Sequence, residues 1–414
     1  MRQYGALMNK HTIIGINTLP GGATAPEGFI GGGVVCGVRN SGRRDLGLLF
    51  SEHECTSAAV FTRNTVKGAP LFVTRKAVEG GAVRAVVANS GYANAATGQK
   101  GLEDAYAIQA LAAKVLGIEA GEVAVASTGV IGEHLPMGRI SSGIEAAAAE
   151  LGRAGGGFAE AILTTDTRTK EIAVQVGVGG KTVTVGGTAK GSGMIHPNMG
   201  TMLAFLTTDA AVERGCLQET LSDATERTFN RVTVDGDTSP SDMAVLLANG
   251  AAGNEPLTVD SPDYRAFADA VEEVARGLAK EIARDGEGAT RLVEVVVEGA
   301  EDEASAATLA RAVVGSNLVK AAAYGEDANW GRVLTAMGYS GARFDPGAVE
   351  LWFGSVKVFG EGEPVAHEDA EANAVLSSGE VKITARLNEG SASATAWGCD
   401  LTYEYVTING SYRT

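Results

Sequence analysis

Short apolar runs alternate with amphipathic stretches along most of the chain. Residues 83–88 are a compact β-branched run ending at Asn89-Ser90-Gly91, which reads as a strand followed by a turn. In residues 102–116, Ile108, Leu111 and Val115 share one helical face. Residues 123–126 predict a short strand that stops at Ser127-Thr128-Gly129, and residues 142–151 a helix with Ser142 and Glu145 in capping-box spacing. Residues 172–178 and 181–185 alternate on either side of Gly179-Gly180, the pattern of a β-hairpin. Residues 202–206 read as a buried strand. Phe267, Val271, Val274, Leu278 and Ile282 recur every three or four positions, giving one long amphipathic helix that Ser261-Pro262-Asp263 starts. Runs at 292–297, 349–358, 380–387 and 395–408 predict a β-rich C-terminal half. With no fixed repeat, low-complexity tract or linker, the pattern predicts sheets stacked between helix layers.

Composition narrows the function classes. The chain has 414 residues, 45% hydrophobic and 20% charged, enough for a large core. A net charge of −16 repels polyphosphate, which argues against nucleic acid and anionic membrane as partners. Cys36, Cys55, Cys216 and Cys399 are far apart and form no CxxC pair, and the histidines are scattered. Neither a zinc site nor a disulfide framework is expected, and the thiols read as buried or free. Asp235, Asp237 and Asp242 have the look of a calcium loop, but Leu246 stands where the closing glutamate belongs, so no metal is expected. The N-terminus lacks the apolar run of a signal peptide, and no stretch of about 18 apolar residues occurs. A cytoplasmic location is expected.

The chemistry concentrates at the centre. A glycine-rich polar loop, Lys190-Gly191-Ser192-Gly193-Met194-Ile195-His196-Pro197-Asn198-Met199-Gly200, runs straight into the apolar segment that Thr201-Met202-Leu203 opens. By local composition alone this is a glycine-rich turn before a strand. The joint also suits a second chemistry. If the Thr201 hydroxyl attacks the Gly200 carbonyl, the amide becomes an ester, and water then releases the upstream piece. The product is a threonine whose α-amine, with a reference pKa of about 7.7–8.0, can act as its own base near neutrality.

The Lys-Gly-Ser-Gly-Met run, the Pro-Asn-Met that follows and the Thr201-Met202-Leu203 joint resemble the ornithine acetyltransferase family, also called the bifunctional glutamate N-acetyltransferases of arginine synthesis. Further segments resemble it in order along the chain. They are Val87-Ala88-Asn89-Ser90-Gly91, Ala126-Ser127-Thr128-Gly129-Val130-Ile131-Gly132, Thr164-Thr165-Asp166-Thr167, Thr233-Val234-Asp235-Gly236-Asp237-Thr238-Ser239, Asp285-Gly286-Glu287-Gly288-Ala289-Thr290, Gly325-Glu326-Asp327-Ala328-Asn329-Trp330-Gly331-Arg332 and the terminus from Ile408 to Thr414. Tyr92, Ala96, His196 and Gly200 depart from the family's usual residues; His196 and Gly200 stand where alanine is usual.

The resemblance implies an α+β fold, a layered αββα sandwich shared with self-processing aminopeptidases. It implies cleavage between Gly200 and Thr201 into chains 1–200 and 201–414, held together as one intertwined unit, commonly two of each. Thr201 would be the nucleophile and acetyl carrier, and Thr128 with Gly129 the oxyanion hole. Substrate contacts would come from Thr167, Lys190, Thr201, Glu287, Asn409 and Thr414, with Asn409 and Thr414 on a last strand. For Ser127-Thr128-Gly129 a helix cap after a strand is the plainer reading, and for Lys190 or Glu287 alone a solvated surface charge. The implied reaction moves acetyl from N-acetylornithine to glutamate, with no cofactor; acetyl-CoA is a second donor for some members. A self-processing aminopeptidase, a specialised acetyltransferase of another pathway and an uncleaved scaffold are the rival readings.

Overall fold

The computed structural model describes residues 15–39, 41–196 and 202–411. Four short strands open it: β1 (Asn17–Leu19), β2 (Phe29–Val34), β3 (Leu46–Ser51) and β4 (Thr56–Phe61). There follow α1 (Ala69–Gly80), β5 (Ala85–Tyr92), α2 (Gly98–Leu116), β6 (Val123–Val130), α3 (Met137–Ala149), α4 (Gly156–Ala161), β7 (Lys170–Val178) and β8 (Lys181–Lys190). The second half holds β9 (Leu203–Thr208), α5 (Arg214–Arg227), β10 (Met243–Ala248), α6 (Tyr264–Arg284), β11 (Leu292–Ala300), α7 (Glu303–Gly315), α8 (Asn317–Tyr324) and α9 (Trp330–Gly338). It closes with β12 (Glu350–Phe353), β13 (Val356–Gly360), β14 (Glu363–Pro364), α10 (Asp369–Leu376), β15 (Glu380–Arg386), β16 (Ala392–Cys399) and α11 (Tyr403–Ser411).

Two sheets face each other. The first has the order β1-β7-β8-β9-β10-β4 and the second β2-β3-β5-β6. Side chains alternate along each strand. Phe205, Val245 and Leu247 therefore point from the first sheet onto Leu49, Val86 and Ala124 of the second. Leu206 and Leu246 point the other way, onto Leu217 and Leu221 of α5 and Val271, Val274 and Leu278 of α6. On the outer face of the second sheet, Leu48, Val87 and Val125 meet Ile108 of α2 and Ile140 and Ile144 of α3. The result is the expected α+β architecture, helices–sheet–sheet–helices. Each fully buried large apolar side chain stabilises it by about 1.5–3 kcal/mol. A third sheet, β14-β13-β12-β15-β11-β16, has its own core under α7, α9 and α10.

The hairpin at Gly179-Gly180 forms as expected; both glycines have positive φ, +57° and +74°. The long helix starts after Asp263, as its start residues predict. Elsewhere the structure corrects the reading. Asn89-Ser90-Gly91 is no turn and Ser127-Thr128-Gly129 no helix cap: β5 and β6 run on through Tyr92 and Val130 as a parallel pair. The helix read at 142–151 starts at Met137, and the Ser142 hydroxyl donates to carbonyls one turn back instead of capping. The run 349–358 breaks into the β12–β13 hairpin. Residues 303–338 are three helices, started by the side chains of Asp302, Ser316 and Asn329. The supposed last strand ends at Cys399, after which the Thr402 hydroxyl accepts the Glu404 N–H and α11 begins. Of the four thiols, Cys55, Cys216 and Cys399 are buried, Cys36 is half-buried, and none is in a disulfide.

Candidate active site

A cavity of about 240 Å³ opens where the ends of β6, β8 and β9 meet the loop before β10. Thr128, Gly129, Lys190, Glu287 and Asn409 all line it, together with Met202, Asp235 and Asp242. Five residues singled out from scattered positions in the sequence thus share one site. Gly200, Thr201 and Thr414 lie outside the described residues. Thr167 does not line the cavity; Thr164 and Thr165 of the same segment do.

The backbone at Gly129 explains why no other residue serves there. Its φ is +131°, and a Cβ would sit 2.3 Å from the carbonyl carbon of Gly91, its partner on the parallel strand. The two strand ends are pressed together at paired glycines. That approach leaves the Thr128 side chain and the Gly129 backbone at the cavity wall. Lys190, buried rather than solvated, donates from Nζ to the Thr128 hydroxyl at 3.2 Å. Burial pushes the Lys190 ammonium below the usual lysine range, against the pull of Asp166 and Asp242.

Behind the wall lies a buried ion network absent from the sequence reading. Lys170, fully buried, reaches Asp166 Oδ1 at 2.7 Å and Asp285 Oδ2 at 2.6 Å. Burial alone would raise the Asp166 carboxyl, but Lys170 and Lys190 hold it below the ordinary carboxylate range. Asp166 also accepts the Gly191 N–H at 2.7 Å, fixing the residue after Lys190. Asp285 accepts both the N–H and the hydroxyl of Thr167, so Thr167 sits behind the cavity wall. The Ser192 hydroxyl donates to the Asp285 carbonyl at 2.6 Å, and the Glu287 N–H donates to the Ser192 carbonyl at 2.9 Å. One network therefore holds the lysine wall and the Glu287 wall together. Asp166 and Asp285 sit inside the recognised segments, which was the available signal, but a segment does not say which of its residues meets a buried lysine.

Glu287 is also buried, and accepts from Asn409 Nδ2 at 2.6 Å across the cavity mouth. Asn409 delivers that bond from helix α11, not from a strand. A Cβ on Gly193 would fall 2.3–2.5 Å from the Glu287 carboxyl, so glycine there is what lets Glu287 sit in place. Asp235 accepts the N–H groups of Met194 and Ile195 at 2.6 and 2.8 Å, pinning the chain that leads to the Gly200–Thr201 joint. His196 Nδ1 lies 3.1 Å from the Thr233 hydroxyl. Burial and the nearby Arg311 push its imidazole below the usual range.

Comparison with known proteins decides the kinship. The model of the ArgJ family matches residues 31–414. The arginine biosynthesis bifunctional protein ArgJ of Symbiobacterium thermophilum is 58% identical over 399 residues, covering 96% of this chain and 99% of its own. The chain belongs to the ArgJ family. Among solved structures, the bifunctional protein ArgJ of Bacillus halodurans is 48% identical, with a TM-score of 0.49, and covers 50% of this chain and 98% of its own. The ornithine acetyltransferase of Mycobacterium tuberculosis complexed with ornithine is 40% identical, with a TM-score of 0.42, covering 44% of this chain and 99% of its own. In this ArgJ-family chain no described helix is long and apolar enough to cross a membrane.

Proposed function

We propose that this chain cuts itself between Gly200 and Thr201 and then moves acetyl from N-acetylornithine to glutamate through an ester on Thr201. The observation that carries the reading is the single cavity lined by Thr128, Gly129, Lys190, Glu287 and Asn409, with Met202, next to the joint, in its wall. ArgJ-family kinship over nearly the whole chain supports the same reaction.

Each group has a chemical task. The Thr201 hydroxyl attacks the Gly200 carbonyl, an N-to-O shift gives an ester, and water frees the new α-amine. That amine takes the hydroxyl proton when Thr201 next attacks the acetyl carbonyl of N-acetylornithine, and hands it to the leaving nitrogen. The Thr128 hydroxyl and the Gly129 N–H stabilise the oxyanion, each donor worth roughly 3 kcal/mol. Lys190 pairs with a substrate carboxylate, and Glu287, held by Asn409, with the side-chain ammonium. Ornithine leaves, glutamate enters, and the steps run in reverse to give N-acetylglutamate. Thr167 supports the site through Asp285, and Thr414, outside the described residues, is assigned a substrate contact by the family resemblance. Acetyl-CoA as a further donor belongs to the same ester chemistry.

The test is direct. The expressed chain is weighed intact, then mixed with N-acetylornithine and isotope-labelled glutamate. Two chains, the second beginning Thr-Met-Leu-Ala, and labelled N-acetylglutamate are expected. Thr201→Ala should give neither. One full-length mass and no label transfer would refute the proposal.

A further inference from the structure

The exchange needs one more proton than the Thr201 amine can manage. That amine takes the hydroxyl proton and passes it to the leaving nitrogen, so ornithine would depart as a neutral amine. At neutral pH it must leave as an ammonium, taking up a second proton. In the return half-reaction glutamate arrives as an ammonium, and one proton must come off before its nitrogen can attack. The two demands are equal and opposite, so a single acid group in the cavity can satisfy both.

Resting on the transfer reading above, we propose that the carboxyl group of Asp242 stores this second proton. It gives the proton to the departing ornithine amine, waits as a carboxylate, and takes one proton back from the arriving glutamate ammonium. No proton is gained or lost over a full cycle.

Four observations select Asp242. It lines the cavity beside Thr128, Lys190 and Glu287. It immediately precedes β10, whose Met243 N–H donates to the Met202 carbonyl at 3.1 Å, so its backbone runs alongside the residue after the joint. It is buried, 2% exposed, and its Oδ2 has no hydrogen-bond partner among the described residues. A buried polar oxygen left unpaired is costly, and a bound amine would recover that cost. Finally, burial lifts its carboxyl well above the ordinary range, with Ser239 and the Lys190 charge opposing, so it can hold a proton where a solvated aspartate cannot.

The other charged groups facing the cavity are engaged or too open. Lys190, from β8, is bound to Thr128, and Glu287, from the loop after α6, to Asn409. Asp235, in Asp242's own loop, accepts two backbone N–H groups, and Asp237 is exposed to solvent. Tyr405, from α11, is pushed above the usual phenol range by burial and then by Asp235 and Glu287, and stays protonated.

The full-length protein carrying Asp242→Asn or Asp242→Ala tests this, with cutting followed by mass, folding by thermal melting and exchange across pH. Both variants should fold and cut, keep KM within about threefold, and lose at least about 100-fold in kcat, the usual scale for a lost acid–base group. The limb of the pH–rate profile belonging to this group should vanish. Formate should restore kcat at least about tenfold in the alanine variant, which leaves room for it, and not in the asparagine variant, which does not. An asparagine variant with parental kcat and pH profile overturns the proposal alone; so does an alanine variant that formate leaves unchanged, or a folded variant that stays uncut. Absence of exchange in the parent protein overturns the transfer reading and this one together.

Discussion

At the scale of single residues the site is built from backbone geometry as much as from reactive side chains. Thr128 is held by Lys190, and Gly129 by the close approach of Gly91. The two positions should fail differently. On the proposed transfer, Thr128→Ala removes one oxyanion donor and leaves the fold, so kcat should fall about 100-fold or more with the melting temperature nearly unchanged. Gly129→Ala puts a Cβ into the Gly91 backbone at a φ of +131°. That should destabilise by more than about 2 kcal/mol, seen as a lower urea midpoint, and abolish transfer as well. An alanine at 129 that melts with the parent would show that the strand ends can part.

At the scale of elements, the ion network joins segments far apart in sequence: the 164–167 turn, the ends of β7 and β8, and the loop after α6. A lysine buried between two carboxylates is sound only while all three are present. Lys170→Met should leave Asp166 and Asp285 buried without the ammonium between them, costing about 3–5 kcal/mol in denaturant unfolding. It should also loosen Gly191 and Ser192, which those aspartates hold. Had the network been a surface feature, the loss would stay under about 1 kcal/mol. The same elements show what was legible in the chain. Periodicity found α6 and the β7–β8 hairpin because one face of each is continuously apolar. It missed α7, α8 and α9, where alanine fills much of the buried face and no long apolar stripe stands out. It misjudged the ends of β5 and β6 because glycine next to serine and threonine signals a turn, whereas here glycine permits two strands to touch. Asn409 was recognised, but its β-branched and aromatic neighbours suggested a strand; a helix forms because Thr402 caps it once the strand ladder has ended.

At the scale of the whole molecule, the first sheet is woven from both sides of the 200–201 joint. β9 and β10 lie between β8 and β4, hydrogen-bonded to each. After the proposed cut, the two chains should therefore co-elute on size exclusion in native buffer and separate only in denaturant; separation without denaturant would contradict this pairing. Just before β10 of the same central sheet lies the buried carboxyl of Asp242, whose Oδ2 has no hydrogen-bond partner among the described residues, and its effect on stability has a definite sign. Below the ordinary aspartate range, near pH 3.9, folded and unfolded chains both hold the proton. As pH rises, the unfolded chain releases it while the folded chain, where burial raises the pKa, keeps it. The unfolded state then binds fewer protons, so rising pH weakens the fold until the folded-state group also ionises. Asparagine carries no such penalty. Asp242→Asn should melt with the parent at low pH and above it at about pH 8, with a gain of roughly 0.5–2 kcal/mol, the size common when a group kept for activity is relieved. A parallel pair of melting curves across that range would mean the carboxyl sees water in the folded protein, and with it would go the reason for a proton to be kept there.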